Sequence, residues 1–283
     1  MNDTKKICSI IVLYKHDNII LEQIIDNIYS ECSLIVLINN EQSLHVNENI
    51  FSREKIILIN NSVNMGISVA YNQGILKAHA KNCDYAFLLD QDSLPSEHLI
   101  PVLVDKIHNK DITMIGASYI EYDDKFVQTF DSLENLTYST VTFNIASGSL
   151  ISIKKFFEVG KYDEDMFMEY FDTDWCLKAK KLNHKLLKLD NKLLHHKIGI
   201  SSRTLFSKKI HIHHPKRYYH KYRNAILCFK KKYINRTWKI LEFFKLIIKL
   251  FLYPIYSSNA ILTFKYIILG IYDGLLNKNR KVD

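Results

Sequence analysis

Short runs of β-branched and aliphatic residues alternate with helically spaced segments through the first half of the chain. That alternation limits the fold more than any other feature. Residues 8–14 (CSIIVLY), 34–38 (LIVLI), 55–59 (KIILI) and 85–89 (YAFLL) are strand-length apolar runs. Between them, Ile20, Ile24 and Ile28 recur at helical spacing over residues 17–30, with Asp17 or Asn18 placed as cap. Residues 67–80 read as a second helix after a turn at Asn64–Gly66. Pro95 predicts the start of a helix running to His108, and residues 114–120 (MIGASYI) predict a further strand. From Val141 the pattern loosens into loops, a short apolar segment at 148–153 and then helix. Strands joined by helices pair in parallel and need cover on both faces. The expected class is therefore α/β, with a Rossmann-like, mostly parallel central sheet and helices on both faces. Ligands of such sheets gather at the carboxyl ends of the strands. The polar residues there are Tyr14, Asn39, Asn40, Asn60, Asn61, Asp90 and Asp92.

The charge is unevenly placed. Residues 208–249 hold 13 Lys/Arg against one acid, Glu242, a net of +12 in a chain whose total is +8. The rest therefore sums to −4, and the basic part invites an anionic partner. Residues 240–276 are also very apolar, yet no stretch reaches ~18 residues without a charge or proline, which argues against a spanning helix. Lys239, Glu242, Lys245 and Lys249 share one helical face, and Ile, Leu and Phe cover the rest. A basic amphipathic helix of this kind suits a membrane surface, and packing on the domain or on a second copy is the alternative. The five cysteines, at 8, 32, 83, 176 and 228, are odd in number and lack a C-x-x-C pair, which weighs against a disulfide framework or structural zinc. A reducing cytoplasm and no signal peptide are expected.

Four segments could carry chemistry. In LLDQDS, Asp90 and Asp92 follow a buried strand, and two close carboxylates suit a hard divalent ion such as Mg²⁺ or Mn²⁺ that also contacts diphosphate. A solvated loop or helix cap would look the same. In NMGISVAYNQGI, Gly66 permits a tight turn and close approach of a ligand. Asn72 and Gly74 interrupt the apolar face of the helix that follows, implying a polar contact and close packing. In MFMEYFDTDWCLKA, Glu169, Asp172 and Asp174 surround a helix start. A carboxylate there can act as general base for a sugar hydroxyl, and Trp175 offers an apolar face to a sugar ring. In HHKIG, a histidine beside a carboxylate site can be a ligand. Each has a plain structural alternative.

Taken in order, these segments resemble the family 2 glycosyltransferases of the GT-A fold, and within them the bacterial rhamnosyltransferase-like group. The shared elements are IIVLYK, LINN, NxGxxxAxNxGI, LDQDS, SGSLIS, FDTDWCLKA, HKIG and RYYHKYRN, and they cover roughly residues 8–230. The resemblance implies a GT-A catalytic domain over residues 1–205, with a nucleotide-sugar half to about 120 and an acceptor half beyond. A basic, helical, membrane-associating region would fill 206–283. It implies Asp90 and Asp92 as the metal site, with Asp92 the more direct ligand and His196 completing it. Tyr14 and Asn39 would line the base pocket, and Asn64 and Gly66 would border the nucleotide sugar. Asp172 would be the catalytic base, and Arg223 would meet phosphate. Glu169, Asp174 and Trp175 fall to the acceptor side. Three departures from the group's pattern stand out: Asn39-Asn40 for Asp-Asn, Glu169 and Asp174 each one methylene off, and Lys178 for Arg.

The implied activity is inverting transfer from a nucleotide sugar, best dTDP-L-rhamnose, to a lipid-linked oligosaccharide in O-antigen, capsule or other surface-polysaccharide synthesis. The site would be the inner face of the cytoplasmic membrane. UDP-hexose, UDP-N-acetylhexosamine or UDP-galactofuranose donors stay open, as do a homodimer and a non-catalytic carbohydrate- or membrane-binding role. A nucleotidyltransferase would need a Gly-rich basic loop after the first strand, and LYKHDNIILEQ has none. Nucleic-acid binding would rest on the basic segment alone.

Overall fold

The computed structural model describes residues 5–43, 47–108, 111–122, 129–197, 201–205 and 208–280. Ile198 and Gly199 of the HKIG segment lie outside them. The order of elements begins β1 (Ile7–Leu13), α1 (Asn18–Ile28), β2 (Leu34–Asn39), α2 (Glu48–Phe51), β3 (Ile56–Asn60), α3 (Ile67–Ala80) and β4 (Tyr85–Asp90). It continues with β5 (Ser93–Pro95), α4 (Leu99–His108), β6 (Met114–Glu121), β7 (Tyr138–Thr140), β8 (Ser149–Ser152), α5 (Ile153–Val159) and α6 (Phe171–Lys181). Then come β9 (Leu186–His196), the hairpin β10 (Ser201–Leu205) and β11 (Lys208–Ile212), and the helices α7 (Pro215–Lys230), α8 (Arg236–Tyr256) and α9 (Ala260–Leu275).

The main sheet runs β3-β2-β1-β4-β8-β6-β9-β5, with β7 beside β9. The first four strands are parallel, as the alternation requires. β8 then runs antiparallel to both β4 and β6, and β9 returns parallel to β6. The sheet is buried on both faces, and β1 shows why its sequence is continuously apolar. Cys8, Ile10 and Val12 join one core cluster with Ala70, Tyr71 and Ile75 of α3. Ile7, Ile11 and Leu13 join the other with Leu21, Ile24 and Ile25 of α1 and Leu99 and Leu103 of α4. Asp17 caps α1 as expected, accepting from Ile19 and Ile20 N–H at 2.8 and 3.4 Å. Gly74 lets α3 lie close on β1, because a Cβ there would meet Ile10 Cγ2 at 2.3 Å.

Pro95 does not open a helix. Residues Ser93–Pro95 form an edge strand against β9, and α4 starts at Leu99. An edge position tolerates proline, since its missing N–H is owed to no neighbour. The stretch after Val141 also holds more strand than its sequence suggested, because β8 and the 11-residue β9 both join the sheet, as does β7 just before it. The C-terminal helices share the core of the α/β body: Tyr222, Cys228, Leu246, Tyr253 and Ile267 belong to the α3-side cluster. No helix among the described residues is long and apolar enough to cross a membrane.

Candidate active site

The carboxyl ends of β1, β2 and β4 lie side by side, which sets Leu13 beside Asn39 and Val12 beside Asp90. β9 reaches the same edge by its pairing with β5, which places His196 directly opposite Ser93. Its Nδ1 lies 2.6 Å from Ser93 Oγ and 3.9 Å from Asp92 Oδ1. Asp90, Asp92 and His196 each present a ligand atom, all within 4.8 Å of one another. Asp90 is held from two sides: Tyr71 O–H donates to its Oδ1 at 2.8 Å, and its own N–H donates to Ser147 Oγ at 2.9 Å. Burial, then the neighbouring Asp90 charge, pushes the Asp92 carboxyl up to about 6, against the pull of His196. Two crowded carboxylates and one imidazole form a donor set that fits a divalent cation.

Two cavities meet at this cluster. The smaller, about 270 Å³, is lined by Tyr14, Asn40, Asn64, Asp92 and Phe167 among others. The larger, about 450 Å³, is lined by Glu169, Asp172, Lys221, Trp238, Lys245 and Lys249 among others. Asp90, His196, Ile67, Met168 and Arg217 line both. In the smaller cavity Tyr14 is tied to Gln91 by two bonds, Tyr14 N–H to Oε1 at 2.6 Å and Nε2 to Tyr14 O at 2.7 Å. Asn64 Oδ1 accepts from Asn40 Nδ2 and from Gly66 N–H at 2.9 and 3.0 Å. Gly66 has φ +86°, and a Cβ there would meet Phe167 O at 2.6 Å, so only glycine fits this turn. Asn39 sits just behind the wall, fully buried, with Nδ2 on Asn60 Oδ1 at 2.7 Å and Oδ1 unpartnered among the described residues. Its neighbour Asn40 lines the cavity.

Asp172 lies in the first turn of α6 and opens on the larger cavity. Burial pushes its carboxyl up to about 6, and the nearby Glu169 charge adds to this, while the backbone N–H groups of Thr173 and Ala146 oppose it. Thr173 N–H donates to its Oδ1 at 2.6 Å. Glu169 behaves in the opposite way. Burial would raise it, but Lys221 and Arg217 outweigh burial and hold its carboxyl well below the usual range. Arg217 donates to Glu169 Oε1, and Lys221 lies 3.7 Å from its Oε2. Two adjacent carboxylates therefore have opposite character, one fixed as an anion and one poised to take a proton near neutrality.

Three residues expected at the site are turned away from it. Asp174 binds Lys231 Nζ at 2.7 Å and Tyr233 O–H at 2.6 Å, two residues round the helix from Asp172. Trp175 is 1% exposed, stacks on Phe156 and donates Nε1–H to Gly160 O. It has no free face for a sugar. Arg223 is 1% exposed and donates to Lys278 O and Asp165 O rather than meeting phosphate. With Asn224, which donates to Met168 O and Glu169 O, it clamps the loop that presents Glu169 and Asp172. That loop enters α6 through two left-handed residues, Glu169 (φ 59°) and Tyr170 (φ 63°). Backbone of this kind persists only when its surroundings hold it.

The residues that line one or other cavity, and that sequence reasoning did not single out, are Arg217, Lys221, Gln91 and Trp238, while Tyr71 supports Asp90 from a fully buried position. Arg217 and Lys221 stand four residues apart within RYYHKYRN, a spacing that puts both on one face and Arg223 on another. Asn72 makes the polar contact its position implied, with Nδ2 on Tyr162 O and Oδ1 accepting from Tyr162 N–H, both at 3.0 Å.

The family model for Glycosyl transferase family 2 matches residues 18–173, from α1 through the start of α6. The chain belongs to glycosyl transferase family 2. That membership makes the chain a glycosyltransferase. The dTDP-rhamnosyl transferase RfbF of Shigella flexneri is 28% identical over 284 residues, covering 95% of each chain. Among solved structures, GalNAc-T7 with UDP, GalNAc and Mn²⁺ superposes with a TM-score of 0.55 at 15% identity, over 71% of this chain and 44% of that one. TarS of S. aureus superposes at 0.55 with 12% identity, over 83% and 41%. This family 2 chain thus spans less than half the length of those two proteins, and at such identity the likeness is one of fold, the GT-A arrangement.

Proposed function

We propose that this glycosyltransferase moves L-rhamnose from dTDP-L-rhamnose, with inversion, to a lipid-linked glycan at the inner face of the cytoplasmic membrane. The observation that carries the reaction is Asp172, a carboxyl raised to about 6 that lines the same cavity as Asp90 and His196. In this reading the acceptor oxygen attacks the anomeric carbon as Asp172 takes its proton, and the bond to the diphosphate breaks on the opposite face. Asp90, Asp92 and His196 would hold Mg²⁺ or Mn²⁺, which supplies charge neutralisation for the leaving diphosphate. Tyr14, Asn40 and Asn64 border the nucleotide, with Asn39 behind them and Gly66 shaping the turn, and Arg217 takes the phosphate role first assigned to Arg223. The donor assignment is supported by the likeness to the Shigella rhamnosyl transferase along nearly the whole chain. Titrating the protein and Mn²⁺ with a panel of nucleotide sugars tests it. Binding and slow hydrolysis of dTDP-rhamnose above all others is the expected result. Preference for a UDP sugar would replace the donor, and no metal-dependent binding to any would sink the catalytic reading.

The membrane surface is supported by two bare apolar stripes. On α8, Phe244, Ile248, Phe251 and Ile255 are 59–68% exposed at i, i+4, i+7 and i+11. On α9, Ile261, Phe264, Ile268, Tyr272 and Leu275 continue the pattern. Such faces, with the basic segment beside them, suit an anionic leaflet. Deleting the helices would be a poor test, because Leu246, Tyr253 and Ile267 belong to the core. The triple variant Phe244→Glu, Ile248→Glu and Phe251→Glu is expected to lose sedimentation with anionic vesicles and to keep its melting temperature. Unchanged sedimentation would remove the membrane from the proposal.

A further inference from the structure

We infer that Lys245 and Lys249 of α8 form a second anion subsite, which receives the diphosphate of a lipid-carried acceptor while its sugar hydroxyl reaches Asp172. This rests on reading the larger cavity as the transfer site. Sequence spacing put Lys239, Glu242, Lys245 and Lys249 on one helical face, as if together against the headgroups. The structure divides them. Lys239 donates to Lys231 O at 2.7 Å, while Trp238, Glu242, Lys245 and Lys249, at i, i+4, i+7 and i+11, form a wall of the cavity that holds Asp172. The apolar stripe of the same helix faces outward. One helix therefore joins a catalytic cavity to an apolar surface, and a ligand that uses both carries a polar head and a hydrocarbon tail.

The cations of the cavity are unequally committed. Arg217 and Lys221 are bound to Glu169. Lys245 lies 3.4 Å from Glu242, whose other oxygen already accepts from Tyr170 O–H at 2.7 Å. Lys249 has no acidic partner among the described residues. The wall beyond Glu242 thus carries surplus positive charge, and it stands on α8, whereas the Asp90–Asp92–His196 cluster stands at the ends of the sheet strands. Glu242 touches Tyr170, two residues from Asp172. Lys245 and Lys249 stand about 5 and 10 Å further along the helix axis, at 1.5 Å per residue. A hydroxyl at Asp172 and a phosphate at that remove fit a short glycan on a diphosphate, with the tail leaving along α8. An uncharged acceptor would leave both lysines unused.

The test is calorimetric binding of geranyl diphosphate to the full chain in EDTA, where the donor cluster has no cation to hold a diphosphate. Geraniol is the uncharged control. Wild type is expected to bind the diphosphate at least about tenfold more tightly than geraniol, and Lys245→Ala/Lys249→Ala to lose about tenfold per lysine, as for charge-assisted contacts. Both side chains reach solvent, so the core should be undisturbed, and an unchanged affinity for dTDP with Mn²⁺ checks the fold. Wild-type affinity in the double variant, or no preference for the diphosphate in wild type, overturns the subsite. Loss of binding to anionic vesicles with geranyl diphosphate affinity intact would also overturn it, by giving the lysines to bilayer headgroups. If wild type bound neither dTDP nor any nucleotide sugar with Mn²⁺, the transferase reading itself would fall, which separates the two failures.

Discussion

Asp172→Asn is expected to lower the turnover of sugar transfer by about 10²–10⁴-fold, the usual worth of a positioned general base. The nucleotide-sugar Kd should hardly change, because Asp172 lines the larger cavity and not the smaller one. The same substitution is expected to make the protein more stable at neutral pH. The carboxyl sits at about 6 in the fold, above its ordinary 3.8, so the folded state binds its proton more tightly than the unfolded chain. Stability from this group is therefore lost as pH rises from about 4 to about 6, and the cost is fully present above that. Asparagine accepts the Thr173 N–H without a charge to bury. The variant should melt higher than wild type at pH 7.5, by at most about 3 kcal/mol in stability, with the gain vanishing near pH 4. For wild type, kcat/KM should fall about tenfold per pH unit below about 6. Full turnover in Asp172→Asn, or a lower melting temperature at pH 7.5, would remove Asp172 from the base role.

Asp92→Asn is expected to cut metal-dependent nucleotide binding by at least about 10–100-fold, since losing a ligand should cost no less than losing a supporting residue. The clearest reading is thermal. Wild type with Mn²⁺ and nucleotide at 100 times Kd should gain about 2.7 kcal/mol of stability, and the variant at the same concentrations much less. Asp92 takes no part in the core clusters, so melting without ligand reports the fold separately. An equal Mn²⁺-dependent shift in both proteins would place the ion elsewhere. Tyr71→Phe is a milder companion, as it removes the hydroxyl that orients Asp90 and keeps the ring that packs against Tyr162 and Phe171.

The α/β class and the cluster of polar strand ends were legible because they depend on local pattern. Continuous apolar runs separated by helical spacing have one economical arrangement, a parallel sheet covered on both faces, and the ends of its strands must share an edge. Asp90, Asp92, Gly66 and Asn64 follow from that, each within a few residues of a strand or helix end. Asp172 was legible as a carboxylate at a helix start. The antiparallel β8 and the long β9 were not: among the described residues no helix separates β8 from β6 to announce a crossover, and β9 mixes Lys, Asp, Asn and His among its leucines instead of forming a continuous apolar run.

Tertiary structure decided which residues share a cavity. Sequence period shows that Asp172, Asp174 and Trp175 point in different directions, but not which direction meets solvent. Packing sends Asp174 to Lys231 and Trp175 to Phe156, and leaves Asp172 open. In α7 the same effect buries Arg223 as a clamp and presents Arg217 and Lys221. His196 reaches Asp92 only because β9 pairs with β5, a contact across 103 residues to Ser93. The polar stripe of α8 was plain in the sequence, but its placement on the catalytic cavity was not. A helix period records which side chains lie together, and only the neighbours packed around the helix determine what each face meets.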